Sequence, residues 1–117
     1  MDIRQLVLVC KNKDEAIDNL CNLFDIKVAY HDPGIIFFGL ENALLPVGNT
    51  FIEVISPVEE GTTAGRFLER RKGDGGYMVI IQVDDFLKSK EKVIQSGIDI
   101  VFESDDPLAR AIHLHPK

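Results

Sequence analysis

FIEVISPVEEGTTAGRFLERRKGDGGYMVIIQVDD, residues 51–85, holds the end of one structural unit, a joint, and the start of a second. Its first residues alternate. Phe51, Glu53 and Ile55 fall on one face of a strand, Ile52, Val54 and Ser56 on the other, and Pro57 stops it. In the joint, residues 63–71 read as a short helix anchored by Phe67 and Leu68, followed by a flexible link of Gly73, Asp74, Gly75 and Gly76. Residues 77–83 make another apolar strand. Asp84 or Asp85 then caps a helix carrying Phe86, Leu87, Val93 and Ile94, and Gly97 stands where that helix ends. A strand over residues 98–103, a turn at Asp105, Asp106 and Pro107, and a strand over residues 109–115 follow.

The N-terminal half repeats this order. Residues 3–10, IRQLVLVC, form a buried strand with Ile3, Gln5, Val7 and Val9 on one face. Asp14 caps a helix whose apolar positions, Ile17, Leu20, Cys21 and Phe24, share one face. Residues 27–30 read as a short strand, His31 to Gly34 as a turn, residues 35–38 as a strand, and residues 41–49 as a loop or irregular hairpin around Pro46 and Gly48. The two halves are one strand–helix–strand–strand unit written twice, and the second copy has no counterpart of residues 50–56 before residue 117. The expected fold is therefore α+β. Two βαβββ-type repeats, about 1–57 and 76–117, are joined by a linker over about 58–75 into a single domain, 1–117. They form a curved mixed sheet with a cup, its final strand missing.

Composition narrows the function classes. With 45% hydrophobic and 27% charged residues the chain is an ordinary globular domain, and 117 residues suffice for a core without staples. A net charge of -6 argues against nucleic acid as a partner. The one basic cluster, Arg66, Arg70, Arg71 and Lys72, is a solvated helix face or a holder for a phosphate or carboxylate. Cys10 and Cys21 read as two small buried hydrophobes in a reducing compartment, with a disulfide as the alternative. No segment has the length and apolarity of a membrane span, and the N-terminus shows no signal-peptide pattern, so the expected location is cytoplasmic. The dense glycines before residue 77 lack the following Lys-Ser/Thr of a phosphate loop, and no Ser-His-Asp or Cys-His arrangement stands in a supporting context.

Several residues can carry chemistry. Glu53, a carboxylate in an apolar strand, is costly without a partner. It reads either as a ligand or general base whose pKa burial raises, or as a carboxylate satisfied by Gln5 and water. Gln5 can bind Glu53 or a ligand carbonyl. His113 and His115, two apart on one strand face, can share a metal or act as acid and base, or simply lie at the surface. His31, in its turn, reads as structural.

The stretches FIEVISP, TTAGRFLERRKGDGGYMVIIQVDD, SGIDIVFE and HLHPK together resemble the vicinal oxygen chelate superfamily (glyoxalases, bleomycin resistance proteins, dioxygenases), and most of all its methylmalonyl-CoA epimerase branch. The resemblance covers the whole chain. It implies a divalent metal (Zn, Co, Mn, Mg or Ni) held in the strand cup by two ligands from each repeat, polarising a substrate carbonyl so that a proton moves at the adjacent carbon. Carried over by position, the ligands fall on Gln5, Glu53 and Met78, with no counterpart for the fourth. A thioether is a poor ligand for such metals, and Tyr77 and Met78 stand where the epimerases have histidines. The expectation is a glyoxalase-like protein with the metal site largely lost. Its cup, lined by Gln5, Glu53, Tyr77, Met78 and Arg66, binds a small organic ligand, an acyl-CoA or a carboxylate. The alternatives are a metal-dependent lyase or epimerase using Glu53 with His113 or His115, and a non-catalytic interaction module. The resemblance also implies a homodimer.

Overall fold

The computed structural model describes residues 1–115; Pro116 and Lys117, the end of the HLHPK segment, lie outside the described residues. The described chain divides into two compact bodies, Asp2–Gln82 and a second that runs from Val83 and includes Met1.

The first body contains β1 (Asp2–Val9), α1 (Lys13–Phe24), a 3-10 helix (Pro33–Phe38), β2 (Leu40–Val47), β3 (Thr50–Pro57), α2 (Thr63–Arg71) and β4 (Gly75–Gln82). The strands form one mixed sheet in the order β2-β3-β1-β4. β1 and β3 run parallel, with Val7 opposite Glu53, because α1 carries the chain back between them; the other two pairings are antiparallel. β4 opens the second copy of the sequence unit, yet its hydrogen bonds go to β1, which places it in this body.

Each face of the sheet has its own core. Cys10, Ile17, Ala43, Leu45 and Val54 pack together on the α1 side, joined by Leu20 and Cys21. Val7, Val9, Leu40, Ile55, Ala64 and Leu68 pack on the opposite side, where α2 covers one end and Met78 and Ile80 line the rest. α2 starts where the Thr62 hydroxyl accepts from the Gly65 amide. Both cysteines are free.

The second body contains α3 (Phe86–Gln95), β5 (Ile100–Ser104) and β6 (Ala111–Leu114). Asp85 caps α3 by accepting from the Lys88 amide, and Gly97 follows its end at φ 71°. β5 and β6 pair antiparallel, with Ser104 opposite Ala111. Lys90 on α3 pairs with Glu103 on β5. No helix among the described residues is long and apolar enough to cross a membrane.

The doubled α+β architecture is present, with four local differences in the first copy. Residues 27–30 are not a strand; Tyr30 makes one isolated bridge to Leu44. Residues 35–38 belong to the 3-10 helix, because the Asp32 carboxylate accepts from the Gly34 amide and Pro33 presets the first helical position. Residues 41–49 are no loop: most of them form β2. Its Pro46 costs nothing in the ladder because β2 is an edge strand, and Gly48 at φ 58° with Asn49 closes a two-residue turn into β3. The cap of α1 is Asn12, whose side chain accepts from the Glu15 amide, rather than Asp14. The link at residues 73–76 is also partly built in. Gly75 and Gly76 begin β4, and Asp74 takes the Lys11 amide on its carboxylate and the Arg71 Nε on its carbonyl. β6 ends at Leu114, short of His115.

Candidate functional site

The parallel pairing of β1 with β3 decides where the polar residues meet. Met78, Val7, Glu53 and Leu44 form one row across four strands, and Ile80, Gln5, Phe51 and Pro46 the next. Side chains in paired positions point to the same face, so Gln5 and Glu53 lie diagonally adjacent on the side opposite α1. Asn42, two residues from Leu44 on β2, faces the same way.

Glu53 is 6% exposed and Asn42 4%. Each carboxylate oxygen of Glu53 has one amide donor. Gln5 Nε2 donates to Oε2 at 2.6 Å, and Asn42 Nδ2 donates to Oε1 at 2.7 Å. The Asn42 amide cannot turn over, because its Oδ1 already accepts from the Asp32 backbone N–H at 2.9 Å. The Asn42 carbonyl accepts from His31 Nδ1 at 2.7 Å, so that ring nitrogen carries a proton. The chain of contacts runs Gln5–Glu53–Asn42–Asp32, with His31 bracing Asn42 from the backbone side.

Burial pushes the Glu53 carboxyl above the usual carboxylate range. The Asn42 donor pulls it back, the Asp32 charge raises it, and the Gln5 donor lowers it. Among the described residues no Lys or Arg forms an ion pair with Glu53.

Of the residues singled out from sequence, Gln5, Glu53 and Met78 share this face. Tyr77 packs at its α2 edge, its ring meeting Phe67 edge-on at 5.2 Å, with a phenol pushed up by burial and pulled back by Arg66 and Arg70. Arg66 is turned to its own helix start, donating to the Gly61 carbonyl at 2.7 Å and the Thr63 hydroxyl at 3.2 Å. His113 and His115 belong to the other body. His113 lies half-buried on β6 against Phe102, and burial lowers its pKa; His115 is exposed beyond the strand, its amide bound to the Asp99 carbonyl at 2.9 Å. Among the described residues no three His, Cys, Asp or Glu side chains gather as a metal-binding group. Asn42 is the functional-face residue that sequence reading missed. The alternation Leu40, Asn42, Leu44 was its signal, hidden inside a stretch read as a loop.

No protein-family model matches the chain. The Ethylmalonyl-CoA/methylmalonyl-CoA epimerase of Cereibacter sphaeroides is 24% identical over 83 residues, which are 68% of this chain and 62% of that protein's length. The crystal structure of methylmalonyl-CoA epimerase from Mycobacterium tuberculosis superposes with a TM-score of 0.84 at 20% identity, over 97% of this chain and 78% of that one. A Streptomyces coelicolor methylmalonyl-CoA epimerase in complex with 2-nitronate-propionyl-CoA gives 0.86 at 16% identity, over 99% and 85%. A hypothetical protein from Bacillus halodurans gives 0.85 at 18%, over 98% and 84%. The chain thus has the glyoxalase-like fold of the vicinal oxygen chelate superfamily, and its likeness within that fold runs to the methylmalonyl-CoA epimerases.

Proposed function

We propose that the sheet face around Gln5, Glu53 and Met78 binds the acyl end of an acyl-CoA thioester without a divalent ion. The observation that carries this reading is the pair of amide donors on Glu53. Asn42 and Gln5 each point an N–H group at one oxygen of Glu53, so the buried carboxylate is held by neutral donors and needs no cation to satisfy it. The remaining first-strand position holds a thioether, Met78, which does not suit a hard or borderline cation. One carboxylate, one amide and one thioether are a poor fit to the metal that the fold family implies. An apolar wall of Met78, Ile80 and Val7 beside one charged group suits an acyl chain with one polar atom. The epimerases that this chain resembles, one of them in complex with methylmalonyl-CoA, give the ligand class.

Metal analysis of the purified chain together with thermal-shift measurement against CoA thioesters tests the reading. It expects stabilisation by a thioester that EDTA leaves unchanged. Stoichiometric zinc, cobalt or manganese, lost on Glu53→Ala, would overturn it.

A second reading, a metal-dependent epimerase, draws on the likeness to that family. It requires proton exchange alpha to the thioester carbonyl that depends on added metal. For the homodimer, the support is an exposed apolar row on the α1 side of β1 and β4, where a register shift between Ile3 and Gln5 turns Ile3 away from the Gln5 face expected from alternation: Ile3 pairs with Ile81 and Leu6 with Val79. Light scattering on the eluting protein decides that point, and a strictly monomeric species counts against a dimer.

A further inference from the structure

We infer that the sheet face around Glu53 selects a neutral, hydrogen-bond-donating acyl group and disfavours one that carries a carboxylate. This rests on the acyl-CoA reading above and adds the substrate class. Asn42 is held in place by the Asp32 N–H, so Glu53 Oε1 keeps that donor whatever else binds. Oε2 is the oxygen left to a ligand. Its present donor, Gln5 Nε2, comes from a half-buried side chain that can swing aside. A hydroxyl or amide N–H of a ligand can take over or share that place as donor.

A carboxylate there meets the opposite situation. The groups bonded to Glu53 are both neutral amides, and no cation pairs with it among the described residues. Asp32, the next group along the chain of contacts, adds a second negative charge. Arg4, the cation over the Phe51 ring at 5.2 Å, is exposed, so water screens it. Two like charges brought together in a half-buried site repel strongly enough to cost a factor of about ten or more in affinity.

The test uses a matched pair of thioesters. Methylmalonyl-CoA carries a carboxylate where 3-hydroxyisobutyryl-CoA carries a hydroxymethyl group; the two are otherwise alike. Calorimetric titration of each into the full chain at pH 8 should show the hydroxyl compound binding at least about tenfold tighter. In Glu53→Gln the charge is gone. The new carboxamide can keep its oxygen toward Asn42 and its nitrogen toward a turned Gln5, and the preference should shrink to within about threefold. Equal or tighter binding of methylmalonyl-CoA by the natural chain overturns the inference while leaving the acyl-CoA reading standing. So does an unchanged ratio in Glu53→Gln. If neither thioester binds, the acyl-CoA reading falls and this inference with it. The ratio measured on the natural chain decides the matter even if Glu53→Gln does not fold.

Discussion

Replacing Asn42 with leucine tests the network at its centre. The side chains are similar in size, so the change removes hydrogen bonds with little change of volume. Two bonds go. Glu53 Oε1 loses a donor inside a site where it is 6% exposed, and the Asp32 N–H loses its acceptor. A buried charged group deprived of a donor costs about 2 kcal/mol and a backbone N–H deprived of an acceptor about 1, so Asn42→Leu should destabilise the fold by about 3 kcal/mol near neutral pH. The deficit must also depend on pH. Glu53 titrates above its unfolded range, so the stability it contributes is fully present at acid pH and is lost as pH rises through its folded pKa. Asn42 opposes that upward shift. Without it the folded carboxyl holds its proton more tightly, and the variant's deficit grows as the medium is made less acid. Urea unfolding at about pH 4.5 and about pH 7.5, with midpoints and slopes compared, measures both. A loss below about 0.5 kcal/mol, or one identical at the two pH values, refutes the reasoning.

Three further predictions concern the core and its titratable groups. Leu45 is wholly buried under α1, so Leu45→Ala should cost about 2–4 kcal/mol in the same urea assay, whereas Leu108→Ala, at an exposed turn, should be silent. Burial lowers the His113 pKa, so the folded protein resists protonating it; stability should fall as pH drops through the ordinary histidine range, and His113→Phe should flatten that part of the profile. Cys10 is buried, and burial and the nearby Asp74 charge push its thiol up, so a thiol reagent at pH 8 should label Cys21 first and reach Cys10 only with unfolding.

Much of this site was legible before the structure. β1 and β3 alternate cleanly, and a carboxylate among Ile52, Val54 and Ile55 is conspicuous at any stage. α2 announced itself through Phe67 and Leu68, and α3 through Asp85 and Gly97. What escaped notice lay between them. Pro46 and Gly48 look like loop residues until β2 is known to be an edge strand closed by a two-residue turn. The IIFF run has strand propensity, but the side chain of Asp32 captures the Gly34 amide and the backbone turns into a 3-10 helix there. Asn42 was lost along with β2, and with it the reason that Glu53 tolerates burial. The contact of Gln5 with Glu53, by contrast, was implied by the family resemblance, which carries two ligand positions onto these residues; the parallel register that sets them diagonally adjacent is supplied by the structure.

On the function proposed above, Glu53, held by two amides, faces an acyl-CoA ligand and not a metal. Calorimetric titration of 3-hydroxyisobutyryl-CoA into metal-stripped protein, before and after adding cobalt or zinc, tests this most directly. Saturable one-to-one binding that the metal does not change, and that Glu53→Ala weakens, is the predicted result. Binding that appears only once metal is added contradicts it.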